Sequence, residues 1–99
     1  MNRLIHIGFG NIVNTDKIIA IVSPEAAPIK RLVQKAKETG QAIDATQGRK
    51  TKAVLVMENS QVVLSALLPA IVSGRAQALW HENAKMRLAK GGKSVYNVD

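Results

Sequence analysis

Lys52 to Leu67 reads KAVLVMENSQVVLSAL, and the fold turns on how this stretch is divided. Residues 52–57 and 61–67 are runs rich in Val and Leu with few polar side chains, as in strands buried on both faces. Glu58-Asn59-Ser60 between them has the length of an antiparallel hairpin connection, with Asn59 the residue expected to take a left-handed backbone. Two paired strands that are apolar on both sides need a cover on each face. The rest of the chain must supply it, or a second subunit must.

Working outward, QGRKTK (Gln47 to Lys52) places three cations and a glycine just before this hairpin. AIDAT (Ala42 to Thr46) precedes the loop and reads as another strand. Further upstream, SPEAAPIKRLVQKAKETG carries the clearest helix. Ile29, Leu32, Val33 and Ala36 fall on one apolar stripe. Pro28 fits the first turn, where its missing N–H is harmless. Gly40 is the expected stop. RLIHI (Arg3 to Ile7) alternates as a first strand with Leu4 and Ile5 on opposite faces. KIIAIV (Lys17 to Val22) is apolar throughout and is expected to be a central strand covered on two sides. Downstream, Pro69 opens a helix expected to reach about Lys90, and GGKSVYNVD is expected to be a loose tail.

The order β-β-α-β-β-β-α defines an α+β protein. It predicts a small mixed sheet of about five strands, one amphipathic helix packed on it and a C-terminal helix. Ninety-nine residues allow one hydrophobic core. The expected division is a domain over residues 1–75 and a helical, basic extension over 76–99.

The composition narrows the function. Fourteen Lys and Arg against seven Asp and Glu leave a net charge of +7, a bias toward nucleic acid or other polyanions. The excess is spread along the chain, so a basic tail alone does not explain it. One Trp, one Tyr and one Phe leave little to stack against single-stranded bases. Cysteine is absent, which excludes disulfides and thiolate metal sites. No apolar run approaches the roughly 20 residues of a membrane-spanning helix. The expectation is a soluble cytoplasmic protein without a membrane partner.

Motifs for catalysis fail one by one. GFGN (Gly8 to Asn11) lacks the third glycine of a dinucleotide loop, since position 13 is Val13, and it reads as a tight turn. GRKT (Gly48 to Thr51) lacks the spacing of a nucleotide-hydrolase phosphate loop. His6 and His81 have no clustered ligands beside them. Asp44, a carboxylate in an apolar strand, fits a structural hydrogen-bonding role better than a catalytic one. What remains is cationic: Arg49, Lys50 and Lys52 on the loop, with Lys30 and Arg31 on the exposed part of the first helix.

Four separated segments agree on one likeness. IHIGFGNIV (Ile5 to Val13), IVSPEAAPIKRLV (Ile21 to Val33), IDATQGRKTKAVLVM (Ile43 to Met57) and LSALLP (Leu64 to Pro69) resemble the RemA family of bacterial extracellular-matrix regulators. The resemblance implies a DNA-binding transcription regulator of biofilm-matrix genes, neither an enzyme nor the holder of a cofactor. It also implies a ring-shaped homo-oligomer presenting basic loops to promoter duplex DNA. The family's Gly-Arg-Arg turn falls on Gly48, Arg49 and Lys50, and its arginine before the second strand falls on Lys17. Pro28 matches the family's helix-opening proline, and Gly8, Gly10 and Asn11 match its turn, giving these four an implied structural or assembly role. At Lys17 and Lys50 lysine replaces arginine, which keeps the charge but loses the planar fork. An RNA-binding regulator and a purely structural ring are the competing readings of the same charge.

Overall fold

A computed structural model describes residues 3–79. The expected continuation of the last helix to Lys90, the tail and His81 lie outside these residues. Six strands and two helices follow one another: β1 Leu4–Gly8, β2 Asn11–Asn14, β3 Ile18–Val22, α1 Ala27–Glu38, β4 Ala42–Asp44, β5 Ala53–Met57, β6 Val62–Ser65 and a helix over 69–79, here α2. A 3-10 turn, Thr15–Lys17, joins β2 to β3. Among the described residues no helix is long and apolar enough to cross a membrane.

The KAVLVM and QVVLSAL segments form the antiparallel centre of a four-stranded sheet ordered β3-β5-β6-β4. The sheet is mixed, because β4 runs parallel to β6. Alternation along the two central strands sends side chains into two separate cores. Val54, Val62 and Leu64 face α1 and meet Ala36, with Ile29 and Val33 packed alongside. Ala53, Leu55 and Val63 face the other way and meet Ile5, Ile7, Val72 and Ala76. The second cover is therefore internal to the chain: the β1–β2 hairpin and α2 lie over that face.

Three expectations are corrected. The first strand does not join the main sheet. It pairs with an unanticipated strand, β2, in a separate two-stranded sheet. The cause is the turn at Phe9-Gly10, whose residues both have positive φ (54° and 77°), the pattern of a tight hairpin turn. It folds residues 11–14 straight back onto β1. Second, β3 is an edge strand and not a central one, with Ile19 66% exposed. Its unbroken apolar run still serves both cores, through Ile18 and Ile21 on one and Val22 on the other, while Ile19 is left open. Third, the left-handed residue of the β5–β6 connection is Ser60 (φ 69°), not Asn59. Ser60 N–H donates to the Met57 carbonyl and Met57 N–H to the Gln61 carbonyl, so a four-residue turn ends on the left-handed residue. Asn59 caps the loop instead, its Oδ1 accepting from Gln61 N–H at 3.2 Å.

Helix α1 starts and stops as its sequence predicts. Pro28 stands in its first turn. Gly40 takes φ +75° just past its end, and Gln41 N–H reaches back to the Ala36 carbonyl at 2.8 Å, closing the helix as a glycine stop does. Leu32 is the outlier of the apolar stripe, since it lies at the rim and is partly exposed.

Candidate nucleic-acid interface

The loop between β4 and β5 is built for rigidity. After Thr46 the chain turns through Gln47 and Gly48, both with positive φ (54° and 78°), and Arg49 N–H donates to the Thr46 carbonyl at 3.0 Å. Gly48 adopts this backbone freely, whereas Gln47 does so at a cost of about 1–2 kcal/mol. Both flanks are tied to the end of β6. Ala45 N–H donates to the Leu64 carbonyl and Lys52 N–H to the Ser65 carbonyl, each at 2.9 Å.

Asp44 reinforces the start of the turn. Its Oδ1 accepts from the Thr46 hydroxyl at 2.6 Å and from Thr46 N–H at 2.9 Å. The hydroxyl first, and then the backbone N–H, hold the Asp44 carboxyl below its usual range, outweighing a smaller opposing effect of desolvation; Lys37 adds a weak favourable charge. This is the structural hydrogen-bonding role expected of Asp44.

Arg49, Lys50 and Lys52 are exposed on this clamped frame. The ion pairs among the described residues are Arg3–Asp16 and Lys17–Glu58, so none of the three loop cations is ion-paired there. Lys50 and Lys52 border a shallow cleft with Ser23, Glu25, Leu68 and Pro69. That cleft joins the loop to the approach of α1, because β3 ends at Val22 opposite Val54, beside the start of β5.

Lys30 and Arg31 follow just inside α1 and are exposed at the same end of the sheet. No acidic residue occupies the first turn of α1. Its positive dipole end adds to the loop's cations, with Glu25, one residue before the N-cap Ala26, the carboxylate that borders the same cleft.

Lys17 is placed apart. It lies next to Glu58, its carbonyl accepting Glu58 N–H and its Nζ lying 3.4 Å from the Glu58 carboxylate. The length of β5, roughly 20 Å from Lys52 to Glu58, separates it from the basic loop. One protomer therefore gathers Arg49, Lys50 and Lys52 on one loop, carries Lys30 and Arg31 on the helix that follows the cleft, and sets Lys17 apart. Pro28 is exposed at the start of α1, so its ring covers no core.

Gly8, Gly10 and Asn11 form the other clamp. Asn11 Nδ2 donates to the Gly8 carbonyl at 2.9 Å and, more weakly, to the Ala45 carbonyl at 3.4 Å. Ser65, whose carbonyl holds Lys52, donates its hydroxyl to the Ile7 carbonyl at 2.8 Å. The first hairpin is thus joined to the framework of the basic loop, closely through Ser65 and more loosely through Asn11. Sequence reasoning missed Thr46 and Ser65 in this framework. The available signals were a hydroxyl two residues after Asp44 and a lone hydroxyl in an aliphatic strand.

Comparison with known proteins gives the lineage. A protein of Lachnoclostridium phytofermentans is 63% identical over 75 residues, covering 76% of this chain and 82% of its own length. One from Gloeothece citriformis is 59% identical over 73 residues, covering 74% and 83%. One from Heliobacterium modesticaldum is 54% identical over 76 residues, covering 77% and 84%. Each bears the name "Putative regulatory protein". Residues 4–76, which include both hairpins, the clamped loop and the start of α2, match the RemA-like family, described as extracellular matrix regulatory protein A-like, and the chain belongs to that family.

Proposed function

We propose that this protein is a regulator that binds duplex DNA through the clamped loop, repeated around a homo-oligomeric ring. The family and the names of its relatives support a regulatory role and not an enzymatic one. The observation that carries the DNA reading is the loop itself: three exposed, unpaired cations on a turn whose flanks are fixed to the sheet. Holding the cations in place before binding spares ordering entropy when phosphates arrive.

A single loop neutralises few phosphates and binds weakly at physiological salt. Repetition raises the effective concentration of each further contact. Two features support assembly. Both edge strands of the main sheet, β3 and β4, are open, and they carry the exposed side chains Ile19 and Ile43. DNA following a ring must curve, so its preference comes mainly from bendability and phased A·T content. Arg49 enters a minor groove, as arginines do where wrapped DNA faces a protein core. Lys50, Lys52, Lys30 and Arg31 hold phosphates, and Lys17 of one copy contributes beside the loop of the next. The family description supports genes of the extracellular matrix, made during biofilm growth, as targets. Such a protein works on the nucleoid.

Gel retardation of promoter duplex at ~0.15 M salt, with duplex RNA as competitor, tests this. The expected result is retardation that RNA displaces poorly. Preferential displacement by RNA assigns the protein to RNA; no retardation leaves a structural scaffold. Sedimentation with and without the DNA reads the subunit number, and a lone protomer in both would defeat the ring.

A further inference from the structure

Glu25 is the one carboxylate on the walls of the cleft that carries Lys50 and Lys52. The cleft encloses about 310 Å³, with Ser23, Leu68 and Pro69 completing its lining. Backbone pairing fixes its charged walls relative to each other. Val22 lies opposite Val54, so Glu25, three residues past the end of one strand, faces Lys52, just before the start of the other. Each wall has its own tether. Glu25 N–H donates to Ser23 Oγ at 3.3 Å, and Lys52 N–H donates to the Ser65 carbonyl at 2.9 Å.

The Glu25 side chain is exposed and takes part in neither ion pair of the described residues. It shares the cleft with two cations without closing on either. A phosphate entering there meets two charges that attract it and one that repels it. The carboxylate also has a structural use. It stands one residue before the N-cap Ala26, which makes no side-chain capping bond, so its charge favours the start of α1.

We infer that Glu25 is a counter-charge that holds down the affinity of each basic loop for phosphate, so that a stable complex with DNA requires many loops at once. This rests on the DNA-binding reading and adds to it what sets the strength of binding. Charges in physiological salt interact over about 8 Å, and a cleft this small keeps the carboxylate within that range of a phosphate drawn to its lysines. Two unit charges that far apart in water shift an equilibrium by about twofold. The shift multiplies with the number of loops engaged, reaching about 16-fold for four. One protomer hardly registers it, whereas an assembly does.

The test compares full-length wild type, Glu25→Gln and Glu38→Gln by anisotropy titration of a promoter duplex from 50 mM to ~0.5 M salt. Glu38→Gln removes the same charge at the far end of the 12-residue helix, about 18 Å away and beyond two Debye lengths. Glu25→Gln is expected to bind about 2-fold tighter per engaged loop at ~0.15 M salt, with the gain shrinking as salt rises; Glu38→Gln is expected to bind as wild type does. Sedimentation is expected to show the same assembly for all three, and Glu25→Gln to melt slightly lower because α1 loses an anion near its start. Equal affinity of Glu25→Gln and wild type refutes the counter-charge and leaves the loop assignment standing. An equal gain in Glu38→Gln assigns the effect to net charge, and a gain unchanged by salt shows that it is not electrostatic; either result refutes it too. A larger assembly of Glu25→Gln transfers the gain to oligomerisation and has the same consequence. Failure of wild type to bind any duplex overturns the DNA reading together with this one.

Discussion

Removing Arg49 and Lys50 together should change the salt dependence of DNA binding by a predictable amount. Each protomer offers three unpaired loop cations, and the double alanine variant leaves Lys52 alone. With about 0.9 counterions released per neutralised phosphate, a fully engaged loop contributes a slope of about −2.7 to log K against log salt, falling to about −0.9 in the variant. Between 50 and 200 mM salt that is a loss of about 40-fold per engaged loop for wild type against about 3.5-fold for the variant. The observed slope multiplies with the number of loops touching DNA, which sedimentation supplies independently. Fluorescence anisotropy titrations at four or five salt concentrations read both proteins. Neither side chain is buried or bonded, so thermal melting should be unchanged within about 0.5 kcal/mol. A variant that melts as wild type yet keeps the wild-type slope would show that these cations do not meet phosphates, and the reasoning from the loop would fail.

Three further outcomes follow from the geometry. Gly48→Ala meets no atom within 4 Å, so its cost is the left-handed backbone alone; this is about 1–2 kcal/mol, visible as a drop in Tm of about 4–8 °C per kcal/mol. Asp44 is held below its unfolded carboxylate range by Thr46, so its stabilisation is present above the unfolded pKa and is lost as pH falls through the lower, folded value. Urea unfolding between neutral pH and pH ~3 should show that loss in wild type, and Asp44→Asn should lack this part of it. Leu55 is fully buried between β5, the first hairpin and α2, and Leu55→Ala should cost about 2–5 kcal/mol in chemical denaturation. A smaller loss would mean that the second core is not closed by this chain alone.

The chain's own text determined whatever depends on near neighbours. The stripe of Ile29, Val33 and Ala36, the stop at Gly40, the alternation of Leu4 and Ile5 and the hairpin of 52–67 are all set by side-chain spacing and local turn chemistry. The cationic loop was equally plain, because three charges between two aliphatic runs can lie only at a surface. Pairing was a different matter. Whether β3 sits at the centre or the edge, and whether β1 joins the main sheet, depends on competing long-range arrangements that bury similar aliphatic side chains. Local pattern cannot rank them. Only tertiary packing did so: it set the hairpin and α2 over one face of the sheet, moved Lys17 to the far end of β5, and used Asn11 and Ser65 to join the first hairpin to the framework of the basic loop. Hydrogen bonds between residues as far apart in the chain as Ile7 and Ser65 gain their strength from the burial that the fold creates, so the interface became visible when the fold did.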